Sequence, residues 1–135
     1  MRYLLDTDTC SYIMRQKPPA VWQRLNQIGV GNVAVSVMTV AELRFGVEKL
    51  RSAHFTQQAV DDFIRYCSVL SWEESITPVY AQLRHFLDQQ GTPIGNMDLL
   101  IAAHALQQNC ILVTNNTRHF SRVPNLTIEN WTLIN

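Results

Sequence analysis

The chain has 135 residues, 47% of them hydrophobic and 16% charged, with 11 acidic and 11 basic side chains and no net formal charge. That length suits one domain with its own core, expected over residues 1–135, and the composition excludes a disordered chain. The balanced charge argues against coating nucleic acid through bulk positive charge, but it permits a local groove lined by arginine, since only Lys17 and Lys49 are lysines.

"RYLLD" is a short apolar run that suits a buried strand ending at Asp6. "TCSYIMRQ" follows as a short helix closed by "KPP", and Pro19 can start the next helix, "AVWQRLNQI", which Gly29 and Gly31 end. Valine-rich "NVAVSV" reads as a second strand and "TVAELRFGVEKL" as a helix. A longer helix is expected over "FTQQAVDDFIRYC", then a short strand over "SVLSW". Thr77 and Pro78 have the chemistry of an N-cap and first helical residue for "VYAQLRHFLDQQ". "GTPIG" is a loop. A helix that is apolar on every side starts at Asp98, followed by a strand "CILVT", a loop around "NNTRHF" and a last short strand in "LTIENW".

Cys10, Cys67 and Cys110 are odd in number and far apart, without a C-x-x-C, so neither a disulfide framework nor a zinc site is expected. A reducing cytoplasm is the simplest setting. "MRYLLDTDT" meets an acidic residue at once and lacks the apolar centre of a signal peptide, and no apolar run is long enough to span a bilayer.

Strands alternate with helices, so the expected class is α/β with a mainly parallel sheet. Sites in such sheets form beyond the carboxyl ends of the strands. That rule selects Asp6 and Asp8 after the first strand, Glu42 beyond the second, Asn115 and Asn116 after "ILVT", and Asp98 at the start of the preceding helix. Each has a competing structural reading. Asp6 suits an N-cap as well as a ligand, and Asp8 suits an N-cap or a supporting acceptor. Glu42 fits a capping box with Thr39, and Asp98 complements the helix dipole. His104 reads as a core histidine, since no second histidine stands at a metal-site spacing. His54 and His85 read as surface or boundary residues, and His119 stays open beside the site. Trp22, Trp72 and Trp131 read as packing or interface residues. Carboxylates with few histidines and no paired cysteines suit a hard cation such as magnesium or manganese, which supports phosphoester hydrolysis.

"LLDTDTCSYI", "TVAELRFGVEKL", "GTPIGNMDLLIAAHAL" and "ILVTNNTRHFSRVPNL" resemble, in order and spacing, the VapC-type toxins of the PIN-domain ribonucleases. The resemblance implies an α/β/α domain, metal-dependent endoribonuclease activity on magnesium or manganese, a cognate VapB-type antitoxin and a homodimer. It places the acidic site on Asp6, Glu42 and Asp98, with Thr114, Asn116 and Asp8 in support and arginines at the rim, for which Arg15, Arg44, Arg118 and Arg122 are the candidates. Asp6 and Asp98 would hold the ion, and Glu42 would ligate it or orient the water that cleaves RNA to a 5′-phosphate and a 3′-hydroxyl. Structured RNA is the implied substrate class, with initiator tRNA favoured. One departure stands out. Many PIN domains carry a fourth acidic residue after the last major strand, where this chain has "TNNTRHF".

Two other readings compete. "LLDTDTC" also resembles the start of haloacid-dehalogenase-like phosphatases, with Asp6 as nucleophile and Asp8 as acid/base, but that chemistry wants a later phosphate-binding lysine and none follows Lys49. A PIN module that binds RNA or protein without cutting is the second.

Overall fold

The computed structural model describes residues 2–52 and 55–133, so His54 lies outside the described residues. Strand β1 (Tyr3–Leu5) leads into helix α1 (Thr7–Arg15), then α2 (Pro19–Ile28), strand β2 (Val33–Ser36) and α3 (Val37–Leu50). Helix α4 (Gln57–Tyr66), strand β3 (Ser68–Leu70), α5 (Ile76–Gln89) and α6 (Asn96–Gln107) follow, and β4 (Ile111–Val113), α7 (Thr117–Phe120) and β5 (Ile128–Glu129) complete the fold. The strands form one sheet in the order β3-β2-β1-β4-β5, with every pairing parallel.

A parallel sheet is covered on both faces, so its strands read as continuous apolar runs. Successive side chains of a strand point to opposite faces, and β1 shows the consequence. Leu4 joins Ala34, Leu112 and the inner residues of α5 and α6 in one core, including Leu83, Leu87, Ala102 and Ala105. Leu5 joins Val33, Val35, Val113 and the inner residues of α1, α2 and α4 in the other, including Ile13, Leu25, Val60 and Phe63. The architecture is therefore the α/β/α sandwich expected, with β1 at its centre. Among the described residues no helix is long and apolar enough to cross a membrane.

Local starts and stops differ from expectation at several places, and α6 begins at Asn96, two residues before Asp98, with Gly95 at its N-cap. Helix α3 begins at Val37, directly off β2, and its N-cap is Ser36, whose Oγ accepts from the Met38 amide at 3.1 Å. Thr39 is thus inside the helix, and its capping box with Glu42 does not form. Helix α5 begins at Ile76, so Thr77 is not its N-cap. The Thr77 hydroxyl instead donates to the Glu74 carbonyl at 2.8 Å, and Pro78 falls in the first turn, where a missing N–H leaves no gap. Asp8 is no N-cap either, because Asp6 takes that position: its Oδ1 accepts from the Thr9 amide at 2.8 Å. The segment read as a loop around "NNTRHF" contains the single helical turn α7.

Candidate active site

β2, β1 and β4 are neighbours in the sheet, and the chain leaving each carries one wall of a cavity of about 210 Å³. Asp6, Thr7 and Asp8 come from the end of β1, Glu42 from α3 and Asn116 from the turn after β4. Asp98 and Ile101 come from α6, and Phe120 from α7. Asp6, Glu42 and Asp98 are therefore brought to one place from separate segments, with Asp8 and Asn116 beside them.

Each acidic side chain is held by a different device. Asp6 is 9% exposed, and its capping bond to the Thr9 amide fixes the carboxylate at the mouth of α1. The Thr9 hydroxyl reaches across to the Val113 carbonyl at 3.2 Å, tying α1 to β4 beneath the site. Glu42 Oε1 accepts from the Thr7 hydroxyl at 3.1 Å, a contact between segments 35 residues apart. Asp98 lies in the first turn of α6, where the helix dipole favours an anion. Its Oδ2 accepts from Asn116 Nδ2 at 3.4 Å and stands 3.7 Å from His119 Nδ1, which is itself 3.1 Å from Asn116 Nδ2. Thr114 is buried, and its hydroxyl accepts from the Asn116 amide at 2.9 Å, shaping the turn that presents Asn116.

The electrostatics are those of concentrated negative charge. Burial pushes the Asp6 carboxyl above its ordinary value, the Thr114 hydroxyl and Thr9 donors pull it back in part, and Asp8 raises it further. Burial also raises Asp98, offset in part by His119, with a further push from Asp8. Among the described residues, none of the four carboxylates has an arginine or lysine within ion-pair distance. Nor do any three His, Cys, Asp or Glu side chains among them draw together into a closed ligand cluster.

The proposed rim arginines separate into two groups. The Arg15 guanidinium lies 5.5 Å from the Tyr12 ring centre, and the Tyr12 hydroxyl accepts from Asn115 at 2.9 Å, which joins this pair to the turn after β4. Arg118 is exposed on α7, two residues beyond Asn116. Arg122 donates to the Pro93 carbonyl at 3.1 Å and braces the loop before α6. Arg44 is not part of the rim. It stands two residues beyond Glu42, about 200° around the helix, and pairs with Asp61 of α4 at 3.0 Å. Thr7 and Thr9 were not singled out in the sequence, where their only signal is their place around Asp8 at the end of β1. His85 is exposed, as read from the sequence, and His104 is a core residue.

The sequence pattern of the PIN domain matches residues 3–126. Ribonuclease VapC2 of Rickettsia felis is 39% identical over 97% of this chain and 98% of its own length. The tRNA(fMet)-specific endonuclease VapC of Shigella flexneri is 34% identical over 97% and 98%. Among solved structures, the VapBC2 complex of Rickettsia felis bound to a promoter DNA fragment contains a chain that superimposes with a TM-score of 0.88 at 38% identity, covering 97% of this chain and 99% of that one. This resemblance displaces the haloacid-dehalogenase reading, and Asp8, outside the capping position and exposed, gives that reading no support. Sequence match and fold agree, and Asp6, Glu42 and Asp98 line one cavity: the chain belongs to the PIN-domain family, among its VapC ribonucleases.

Proposed function

We propose that this protein is the toxin of a toxin–antitoxin pair and cleaves RNA in a magnesium-dependent reaction, with manganese as an alternative ion. The observation that carries this reading is the cavity in which Asp6, Glu42 and Asp98 collect without an arginine or lysine partner among the described residues. A buried carboxylate, Asp6, that shares a cavity with the half-buried Glu42 and Asp98 calls for a positive partner. Oxygen donors suit a hard cation such as magnesium, which keeps several of its waters when it binds. Asp6 and Asp98 would hold the ion. When bound, it supplies charge stabilisation at a phosphoryl oxygen and lowers the pKa of water.

The rest falls to the chain's own residues. Glu42, held by Thr7, orients the attacking water or takes a ligand position. Thr114 and Asn116 keep the turn after β4 against Asp98, and Asp8 adds negative charge at the edge. Arg15 and Arg118 meet the RNA backbone, offsetting the repulsion between the acidic cavity and phosphate. Structured RNA is the proposed substrate class, and initiator tRNA is favoured because relatives 34% identical to this chain are named tRNA(fMet)-specific endonucleases. The proposed partner is a cognate VapB-type antitoxin, supported by relatives solved as VapBC complexes. A separate cavity of about 600 Å³, lined by Ile13, Met14, Trp22, Leu25, Phe63 and Tyr66 among others, offers that partner an apolar face. A cytoplasmic setting and a homodimer complete the proposal.

The test is incubation of purified protein with total RNA in magnesium and in EDTA, beside Asp98→Asn, followed by mapping of new 5′ ends. Cleavage by the wild type in magnesium alone is the expected result. Cleavage that survives EDTA overturns the metal assignment. No cleavage under any condition favours a binding module, and turnover of p-nitrophenyl phosphate would reinstate the phosphatase.

A further inference from the structure

Glu42 and Asp98 ride on different helices, so the gap between their carboxylates depends on how α3 and α6 are held against each other. The described hydrogen bonds include one between side chains of these two segments. Ser36 Oγ, at the N-cap of α3, lies 2.8 Å from His104 Nδ1 of α6. Both residues are 0% exposed, and they are 68 positions apart in the chain.

We propose that Ser36 and His104 are a pair of positioning residues that set the register of α3 against α6 and thereby the separation of Glu42 and Asp98. The proposal rests on the nuclease reading above. Its geometry is consistent on both helices. Glu42 follows Ser36 by six residues and Asp98 precedes His104 by six, so each carboxylate lies roughly 9 Å along its own helix from the tie. One bond placed so close constrains both arms.

The chemistry of the pair points the same way. Ser36 Oγ also accepts from the Met38 amide, so it is held from two sides, and its bond to His104 Nδ1 takes its direction from the imidazole tautomer. His104 Nε2 and the Thr39 hydroxyl are both buried without a partner among the described residues. An orphaned buried polar group lowers stability. A leucine at position 104 would remove the orphaned Nε2 but leave the buried Ser36 hydroxyl without its side-chain partner. Burial lowers the His104 pKa, so the ring is neutral at physiological pH and acts as a fixed directional partner.

The experiment uses the full-length chain and four variants: His104→Leu, Ser36→Ala, the double variant and His104→Asn. Asparagine places a hydrogen-bonding atom near the position of Nδ1 and still reaches Ser36. All proteins are assayed at a temperature where unfolding curves show each fully folded. Manganese affinity is measured by calorimetry and RNA cleavage by kcat and KM separately. The expected result is a fall of tenfold or more in manganese affinity and in kcat for both single variants. The double variant should fall no further than the weaker single one, and His104→Asn should recover most of both. Undiminished affinity and kcat in folded His104→Leu, with only a lower melting temperature, would overturn the proposal and leave the pair purely structural. Independent, multiplying losses in the double variant would do the same. Failure of the nuclease reading shows itself elsewhere, in a wild-type protein that neither binds manganese nor cuts RNA, and that outcome removes the basis of the positioning role with it.

Discussion

Replacing Asp6 by asparagine separates the two tasks that the structure gives this residue. As the N-cap of α1, Asp6 accepts from the Thr9 amide at 2.8 Å, and asparagine caps about as well. Asp6→Ala, which loses the cap, should cost about 0.5–2 kcal/mol. For a domain of this size that is a drop of roughly 2–10 °C in melting temperature. The charge contributes with the opposite sign. Burial raises the Asp6 carboxyl, so the ionised form is less well accommodated folded than unfolded at neutral pH, and a neutral amide relieves that. In metal-free buffer Asp6→Asn should therefore melt at or above the wild-type temperature, while Asp6→Ala melts below it. Added magnesium reverses the order. At a hundred times its dissociation constant a ligand stabilises by about 2.7 kcal/mol, an effect the wild type should show and Asp6→Asn should largely lose, together with RNA cleavage. Thermal unfolding with and without magnesium, beside a cleavage assay, reads all of this. A folded Asp6→Asn that cuts RNA at the wild-type rate would refute the site. A loss of stability equal to that of Asp6→Ala would refute the account of the cap.

Four further outcomes follow from the same geometry. Glu42→Gln should lose most cleavage with little change in melting temperature, because the capping box that would have given Glu42 a structural role does not form and glutamine still accepts from Thr7; an active, stable variant would remove Glu42 from the site. Asn116→Asp replaces a donor to Asp98 by a like charge, so the metal-free protein should lose stability while manganese affinity rises by calorimetry; unchanged affinity would show that Asn116 only shapes its turn. His104 has its pKa lowered by burial from an ordinary 6.5, so its contribution is intact above that value and declines as pH falls through it, when the unfolded chain takes up the proton first. His104→Asn should flatten this part of the stability profile between pH 7 and 5, and equal slopes for both proteins would contradict it. Arg118→Ala should weaken RNA binding across sequences and make the slope of log affinity against log salt shallower by roughly one unit, which binding titrations at several salt concentrations measure.

Much of the secondary structure was legible locally because it depends on short-range chemistry. Pro19 starts α2 where a fixed φ suits the first helical residue, and the run around Leu4 and Leu5 suits a strand covered on both faces. The strand-end rule selected Asp6, Asp8, Glu42, Asn115, Asn116 and Asp98, and the resemblance to VapC-type PIN domains singled out Asp6, Glu42 and Asp98 among them. The competing local readings needed tertiary structure to resolve. Thr39 and Glu42 have the sequence of a capping box, but β2 runs straight into α3 and moves the cap to Ser36. Arg44 looks like a rim cation from its place beside Glu42, yet the helix turns it toward Asp61. The contacts that hold the site join Thr7 to Glu42, Asn116 to Asp98 and Ser36 to His104, across 35, 18 and 68 residues. No local pattern encodes such pairs. They arise because the order β3-β2-β1-β4-β5 sets the ends of β1, β2 and β4 side by side, so the sequence by itself determined which groups were available, and only the packing of α3 and α6 around that sheet decided which of them meet.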